Sequence, residues 1–309
     1  MKRVAPICAG TSGRWRTLAA LGSTLGLALF LSGCGGVLDP QGPIGLQQRT
    51  ILLNATAVML AIVAPVILAT LAFAWWFRSG NRRARYRPNW SYSGRIEFVV
   101  WSVPTLVILF LGGMTWVATH DLDPARALAS ERKALTIEVV SLDWKWLFIY
   151  PDQGIATVNR LVIPSETPLR FRLTSASVMN SFFVPQLGSQ IYTMAGMETR
   201  LHLQADRPGT YAGLSAQFSG GGFSDMRFDV VAQEPTAFEA WASELRARGG
   251  MLDRAGYRVL AKPGKAASAQ EFGGVVPNLF DGIQNQRVSP SAALLCAPFC
   301  RAAELRGDK

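Results

Sequence analysis

The sequence predicts a membrane-anchored protein of mixed class: a hairpin of two transmembrane helices, an all-β external domain, and a helical or irregular C-terminal extension. Three observations carry this: two charge-free apolar runs, an arginine-rich segment that joins them, and a switch to alternating apolar and polar residues from about residue 134. Composition agrees, since 49% of the 309 residues are hydrophobic and only 17% charged, a balance that favours membrane segments over one soluble domain.

Residues 1–33 read as a lipoprotein signal peptide, with Lys2, Arg3, Arg14 and Arg16 as its basic head and TLAALGSTLGLALF as its apolar body. The segment ends in Leu-Ser-Gly-Cys. That ending resembles the lipobox of bacterial lipoproteins, in which the chain is cut before the cysteine and the sulfur takes a diacylglyceryl group. Cys34 is then the lipidated start of the mature chain, and 34–50 a periplasmic N-terminal segment. The competing reading is an uncleaved anchor with an ordinary thiol.

The transmembrane hairpin is placed at 51–118, with helices at about 51–77 and 98–118. Each run exceeds the roughly 20 apolar residues that cross the hydrocarbon. Pro65 and Pro104 would damage a soluble helix, but a membrane helix tolerates proline where neighbours satisfy the freed carbonyls. Trp75 and Trp76 suit an interfacial aromatic belt. Between the runs, 78–95 carries Arg78, Arg82, Arg83, Arg85, Arg87 and Arg95 and no acid. A short loop this basic stays in the cytoplasm, so both the loop and the leader send residues 119–309 to the periplasm. The ten basic residues of leader and loop account for the whole net charge of +10. The basic charge thus sets topology, and a nucleic-acid face is excluded.

After a polar linker at 119–133, residues 135–150, 169–176, 199–206 and 226–233 alternate as half-buried strands do, with PDQG, PSETP and DRPGT as turns. Residues 134–234 therefore read as a Greek-key sandwich or barrel. Within the extension, 235–309, TAFEAWASELRARGG reads as an amphipathic helix capped by glycine, and the tail from about Lys262 as irregular.

Few residues could carry redox or nucleophilic chemistry. Cys8 goes with the leader, and Cys296 and Cys300 form a C-x3-C pair better read as a disulfide or an idle pair than as a metal site, having no nearby histidine or acid. His202 reads as solvent-facing on a strand, and His120 as an interfacial histidine. Alternation puts Trp144, Trp146 and Phe148 on one side of one strand, where they read as packing residues. Glu97, at the cytoplasmic start of the second helix, is either paired with Arg95 or another loop arginine, or functional, as carboxylates at membrane level often are.

Two membrane helices followed by a β-domain that opens on DWKWLFIYP and contains VMNSFFVPQLGSQIYTMAGM resemble subunit II of the haem-copper respiratory oxidases. The resemblance runs from the lipobox to the helix near Trp241, and it implies a cupredoxin-like Greek-key β-sandwich. In the cytochrome c oxidase branch that sandwich holds a binuclear copper centre, CuA, on a histidine of an H-S-F-x-x-P segment and a C-x-E-x-C-x-x-x-H-x-x-M loop. Here Asn180 stands at the first histidine, Ser215 and Ser219 at the cysteines, Gln217 at the glutamate and Phe223 at the second histidine, while Met226 alone matches. Hydroxyls, amides and a phenyl ring are poor copper ligands, so these six are vestigial positions that bind no metal, with Phe223 expected to fill space beside the lost centre.

That loss resembles the cytochrome bo-type ubiquinol oxidases, whose electrons come from ubiquinol in the membrane. The resemblance implies subunit II of a proton-translocating ubiquinol oxidase in the bacterial inner membrane, with no catalytic residue and no cofactor in this chain. Haems, CuB and the ubiquinol site are expected in subunit I, and subunits III and IV are expected as further partners, with no role for cytochrome c. Glu97 takes the place of a proton-pathway entrance, and the tryptophans are expected to pack against subunit I. A cytochrome c oxidase subunit II and a stand-alone membrane-anchored cupredoxin-like binding lipoprotein are the alternatives.

Overall fold

The computed structural model describes residues 36–85, 87–264 and 268–288. The chain divides into two compact units, Met1–Asp39 and Pro40–Lys309; of the first, only a turn closed by Asp39 N–H on the Gly36 carbonyl is described. The leader, Cys34, Cys296 and Cys300 lie outside the described residues.

In the second unit the two apolar runs form α1, Pro43–Trp76, and α2, Gly94–Asp121. Both are long and apolar enough to cross a membrane. Thr50, Thr56 and Thr70 turn their hydroxyls onto the carbonyls of Leu46, Leu52 and Val66, which keeps polar groups satisfied inside the helix as hydrocarbon demands. At the far end Arg78 bonds the Trp75 carbonyl and lies 4.8 Å from the centre of its ring. The 34 residues of α1 span about 51 Å at 1.5 Å per residue, well beyond a hydrocarbon core of about 30 Å. Its start, eight residues ahead of the 51 predicted from hydropathy, has a tertiary cause. The Gln41 N–H bonds Gln186 O at 2.7 Å, the Gly45 N–H bonds Leu187 O at 3.1 Å, and Gln41 O accepts from the Asp206 N–H at 2.8 Å, so the head of α1 is fastened to the β-domain.

That domain has two sheets. Strands β1 (Leu135–Leu142), β2 (Lys145–Tyr150), β3 (Ile155–Val158), β5 (Leu169–Ser175) and β8 (Thr199–Leu203) belong to the larger. Strands β4 (Arg160–Pro164), β6 (Asn180–Phe183), β7 (Ile191–Thr193), β9 (Gly209–Ser215) and β10 (Arg227–Gln233) form the smaller, in the order β4-β10-β9-β6-β7. The pairs β1/β5 and β4/β10 are parallel and the rest of these pairs antiparallel, so the chain crosses repeatedly between sheets to make the sandwich. Aromatic rings fill the space between: Phe182 stacks on Phe228 at 5.2 Å, and Trp146 meets both edge-on at 5.5 and 5.6 Å. Such aromatic pairs favour offset or edge contacts and bury large areas.

The extension departs from expectation. The amphipathic helix forms as α3, Pro235–Arg248, but the segment beyond Lys262 is ordered, not irregular, in the described residues. Strands β11 (Gly250–Leu252) and β12 (Gln270–Val275) add to the larger sheet, giving seven strands in the order β11-β12-β3-β2-β1-β5-β8. Short helices α4 (Arg254–Leu260) and α5 (Leu279–Gln284) supply Tyr257, Phe280 and Ile283 to a second core, against Val140, Leu142, Leu147 and Ile149 on the sheet's outer face. The join needs glycine, since a Cβ on Gly249 would stand 2.1 Å from the Gly273 nitrogen.

Residues 135–150, read as one strand, are a tight hairpin that turns at Asp143 and Trp144, the latter with φ of 65°. Hence Trp144 does not share a face with Trp146 and Phe148. These two lie fully buried in the sandwich's own core, so neither is available to pack against another subunit. His202 is likewise buried, at 8% exposure, because the linker runs over it: its backbone N–H and ring Nδ1 both meet the Pro124 carbonyl, at 3.0 and 3.2 Å.

Candidate functional site

The six residues that the resemblance places at copper positions come from the start of β6 and from the end of β9 to the start of β10. Strand pairing draws these together: β6 pairs with β9, the Ala216 N–H bonds Ser181 O at 3.0 Å, and the Ser215 N–H bonds Met226 O at 3.0 Å, which closes the loop at its base. A single 3₁₀ turn, Phe223–Asp225, follows Gly220, whose φ is 106°.

Asn180, Ser215 and Met226 are buried at the base of this loop, with 0%, 3% and 1% exposure. Ser215 Oγ donates to Asn180 Oδ1 at 3.1 Å and also reaches the Gln217 carbonyl at 3.3 Å. Ser219 Oγ points its hydroxyl to the Met226 sulfur at 3.9 Å. Sequence reasoning missed two members of the same network, buried Ser141 and Thr193: Thr193 Oγ1 donates to the Asn180 carbonyl at 3.3 Å and lies 2.8 Å from Ser141 Oγ. The available signal was their register, since Asn180 pairs with Thr193. Phe223 does not fill the centre. It is half-buried and meets the exposed ring of Phe218 edge-on at 5.7 Å, while Gln217 joins the network through its backbone.

Trp144 closes the loop from outside. Its indole N–H donates to the Ser219 carbonyl at 3.1 Å, and a Cβ added to Gly222 would lie 2.3 Å from the ring. The left-handed backbone of Trp144 is uncommon for a bulky side chain, and this packing is what holds it there.

A binuclear copper centre does not fit this donor set. Thiolates and imidazoles bind copper because they are soft or strongly σ-donating, whereas the buried donors here are a carboxamide, hydroxyls and one thioether, already engaged with one another. Among the described residues no three of His, Cys, Asp and Glu gather as a metal site.

The family model for cytochrome c oxidase subunit II, periplasmic domain, matches residues 151–233, and the aromatic-rich motif of the same oxidases matches 246–291. The chain is 52% identical over 271 residues to cytochrome bo(3) ubiquinol oxidase subunit 2 of Pseudomonas aeruginosa, covering 87% of this chain and 80% of that one. It is 50% identical over 269 residues to ubiquinol oxidase subunit 2 of Acetobacter aceti, covering 86% and 87%. The chain belongs to the ubiquinol oxidase subunit 2 family. In this chain two helices long and apolar enough to cross a membrane precede the cupredoxin-like β-sandwich.

In this family member, a cluster of charged side chains lies away from the loop. On the outer face of the seven-stranded sheet Arg172 binds Glu138 at 2.6 Å, Glu198 at 2.8 Å and Asp281 of α5 at 3.1 Å, and its guanidinium lies 4.7 Å from the centre of the Phe280 ring. Burial pushes the Glu138 carboxyl up to about 7 against the opposing pull of Arg172. Glu198 moves the other way, held below its ordinary value mainly by the Arg172 hydrogen bond. Glu97 sits in the first turn of α2, exposed, and makes no ion pair among the described residues, so the structure does not pair it with Arg95.

Proposed function

We propose that this chain serves a proton-translocating ubiquinol oxidase as a subunit that carries no electrons. One observation supports the reading above all: at the six copper positions of the fold only Met226 keeps a copper donor, and there the buried side chains of Asn180 and Ser215 bond one another while the Ser219 hydroxyl turns to the Met226 sulfur. With no relay from a soluble donor, electrons must come from a membrane-bound one, here ubiquinol, and the names of the relatives agree with this.

In this proposal haems, CuB and ubiquinol are handled by subunit I, and subunits III and IV complete the assembly. The chain has no cofactor of its own. It is a multi-pass inner-membrane protein, cleaved after residue 33 and lipidated on Cys34, with its β-domain in the periplasm. Glu97 takes protons at the cytoplasmic mouth of a pathway into subunit I; its exposed position, with no ion pair among the described residues, supports this over a structural ion pair.

The test is one preparation of the intact complex, assayed with ubiquinol and with reduced cytochrome c while copper is counted per haem. Quinol-dependent oxygen consumption, none with cytochrome c, and only the copper of subunit I are expected. Two further copper ions would refute the proposal.

A further inference from the structure

A cleft of about 810 Å³ opens between α1 and α2 at the end where Pro43 starts and Asp121 finishes. Leu46, Thr50 and Ile51 line one wall; Leu109, Gly113 and Val117 line the other. Gly113 leaves a gap in the second wall, with nothing within 4 Å of the place where a Cβ would stand. The cleft runs along α2 from Leu109 to Asp121, about 18 Å at 1.5 Å per residue, and beside α1 from Leu46 to Ile51, about 8 Å.

Its mouth is polar and carries both signs of charge. Gln47 and Asp121 line the cleft and also an adjoining hollow that holds Asp123 and Arg126. Arg126 Nη1 lies 3.4 Å from Asp121 Oδ1, with both side chains 63% exposed; an ion pair this open to solvent contributes little and opens readily to other partners.

We propose that the cleft binds one phospholipid of the periplasmic leaflet with a zwitterionic headgroup, its acyl chain between the helices, its phosphate on Arg126 and its ammonium on Asp121. The apolar walls favour an acyl chain, and the adjacent cation and carboxylate favour a headgroup of both signs over an anionic one, which would meet Asp121 and Asp123. The proposal rests on the two helices crossing the membrane with their Pro43 and Asp121 ends outward. It does not rest on the identity of the electron donor.

The test uses the full chain in its native assembly, placed in nanodiscs of equal phosphatidylethanolamine and phosphatidylglycerol, then released for native mass spectrometry and lipid counting. The wild type is expected to retain one phosphatidylethanolamine per chain. Gly113→Leu should lower that retention about tenfold, the equivalent of losing the burial of about two methylene groups, and Gly113→Ala should lower it less. Asp121→Asn should shift the bound ratio towards phosphatidylglycerol by about threefold, the scale of an exposed ion pair. Unchanged retention in Gly113→Leu overturns the site, as does a Met114→Cys variant that cross-links to another subunit. Should Gly113→Leu not accumulate, wild-type behaviour of both Gly113→Ala and Asp121→Asn overturns it equally. A haem-free preparation would tell against the oxidase reading alone and leave the lipid count readable.

Discussion

At one end of the sandwich Ser141, Thr193, Asn180 and Ser215 share a neutral chain of hydrogen bonds, whereas on the outer sheet face Arg172 gathers three carboxylates. Both clusters bury polar groups supplied by distant strands. In the neutral one each hydroxyl has a partner at modest cost, so the base of the loop is satisfied from within the chain. In the charged one three acids compete for a single cation, and the deepest of them, Glu138, is driven towards protonation. The neutral cluster holds the shape of a loop; the charged cluster fastens α5, through Asp281, to β1 and β5.

The widest gap between the two should appear on removing their central groups. Arg172→Leu leaves Glu138 buried without a cation, while Glu198 keeps Arg200 at 3.1 Å, and is expected to destabilise the domain by about 3 kcal/mol, read as a drop in the denaturant midpoint; an unchanged midpoint would show that the extension holds itself. Gly222→Ala drives a methyl group into the Trp144 ring and should cost about 2 kcal/mol, with faster amide exchange across 216–226 and no change near α5. If exchange there stays slow, Trp144 is not what closes the loop. Ser215→Ala removes the donor to Asn180 and should cost about 1–2 kcal/mol with quinol turnover intact. Lost turnover in a folded, assembled variant would mean that the neutral cluster does more than hold shape.

The clusters differ also in their response to pH, through Glu138. Because its carboxyl rises from 4.5 to about 7 on folding, the folded state keeps a proton that the unfolded chain releases. The stabilisation is complete below the unfolded value and is lost as pH rises through 7, by at most about 1.4 kcal/mol per pH unit. Glu198, held low, acts in the opposite sense at more acid pH: its stabilisation is present above the unfolded value and lost as pH falls. Glu138→Gln should therefore flatten the decline between about pH 5 and 7, and an unaltered slope would assign the decline to another group. Glu97→Gln, distant from both clusters in sequence and on a separate element, should leave stability unchanged and slow turnover; full activity in the assembled complex would return Glu97 to an ordinary surface acid.

Much of this was legible in the residues and some was not. The helices were readable because an uninterrupted apolar run of about 20 residues suits a membrane crossing and little else. The chemistry of the loop was readable because Asn180, Ser215 and Ser219 lack soft donor atoms wherever they sit. Trp144 was misread because strict alternation across 135–150 hides a two-residue turn in which a tryptophan takes a left-handed backbone. His202 was misread because the segment covering it, at Pro124, is 78 residues away. The tail escaped because QEFGGV alternates poorly and α5 has only six residues, too short for a periodic signal.

By itself, then, the sequence determined the two long apolar helices, the β character of the domain that follows them and the want of copper donors at five of the six positions. These are local properties, set by side-chain chemistry and by periodicity along a few turns or strands. Only the tertiary structure decided that Ser141 and Thr193 extend the Asn180–Ser215 network, that Trp144 covers the loop, and that β12 and α5 build a second core on the sheet's outer face. Each of these depends on which distant strands meet and in what register, and that choice is made by packing and hydrogen-bond satisfaction over the whole domain.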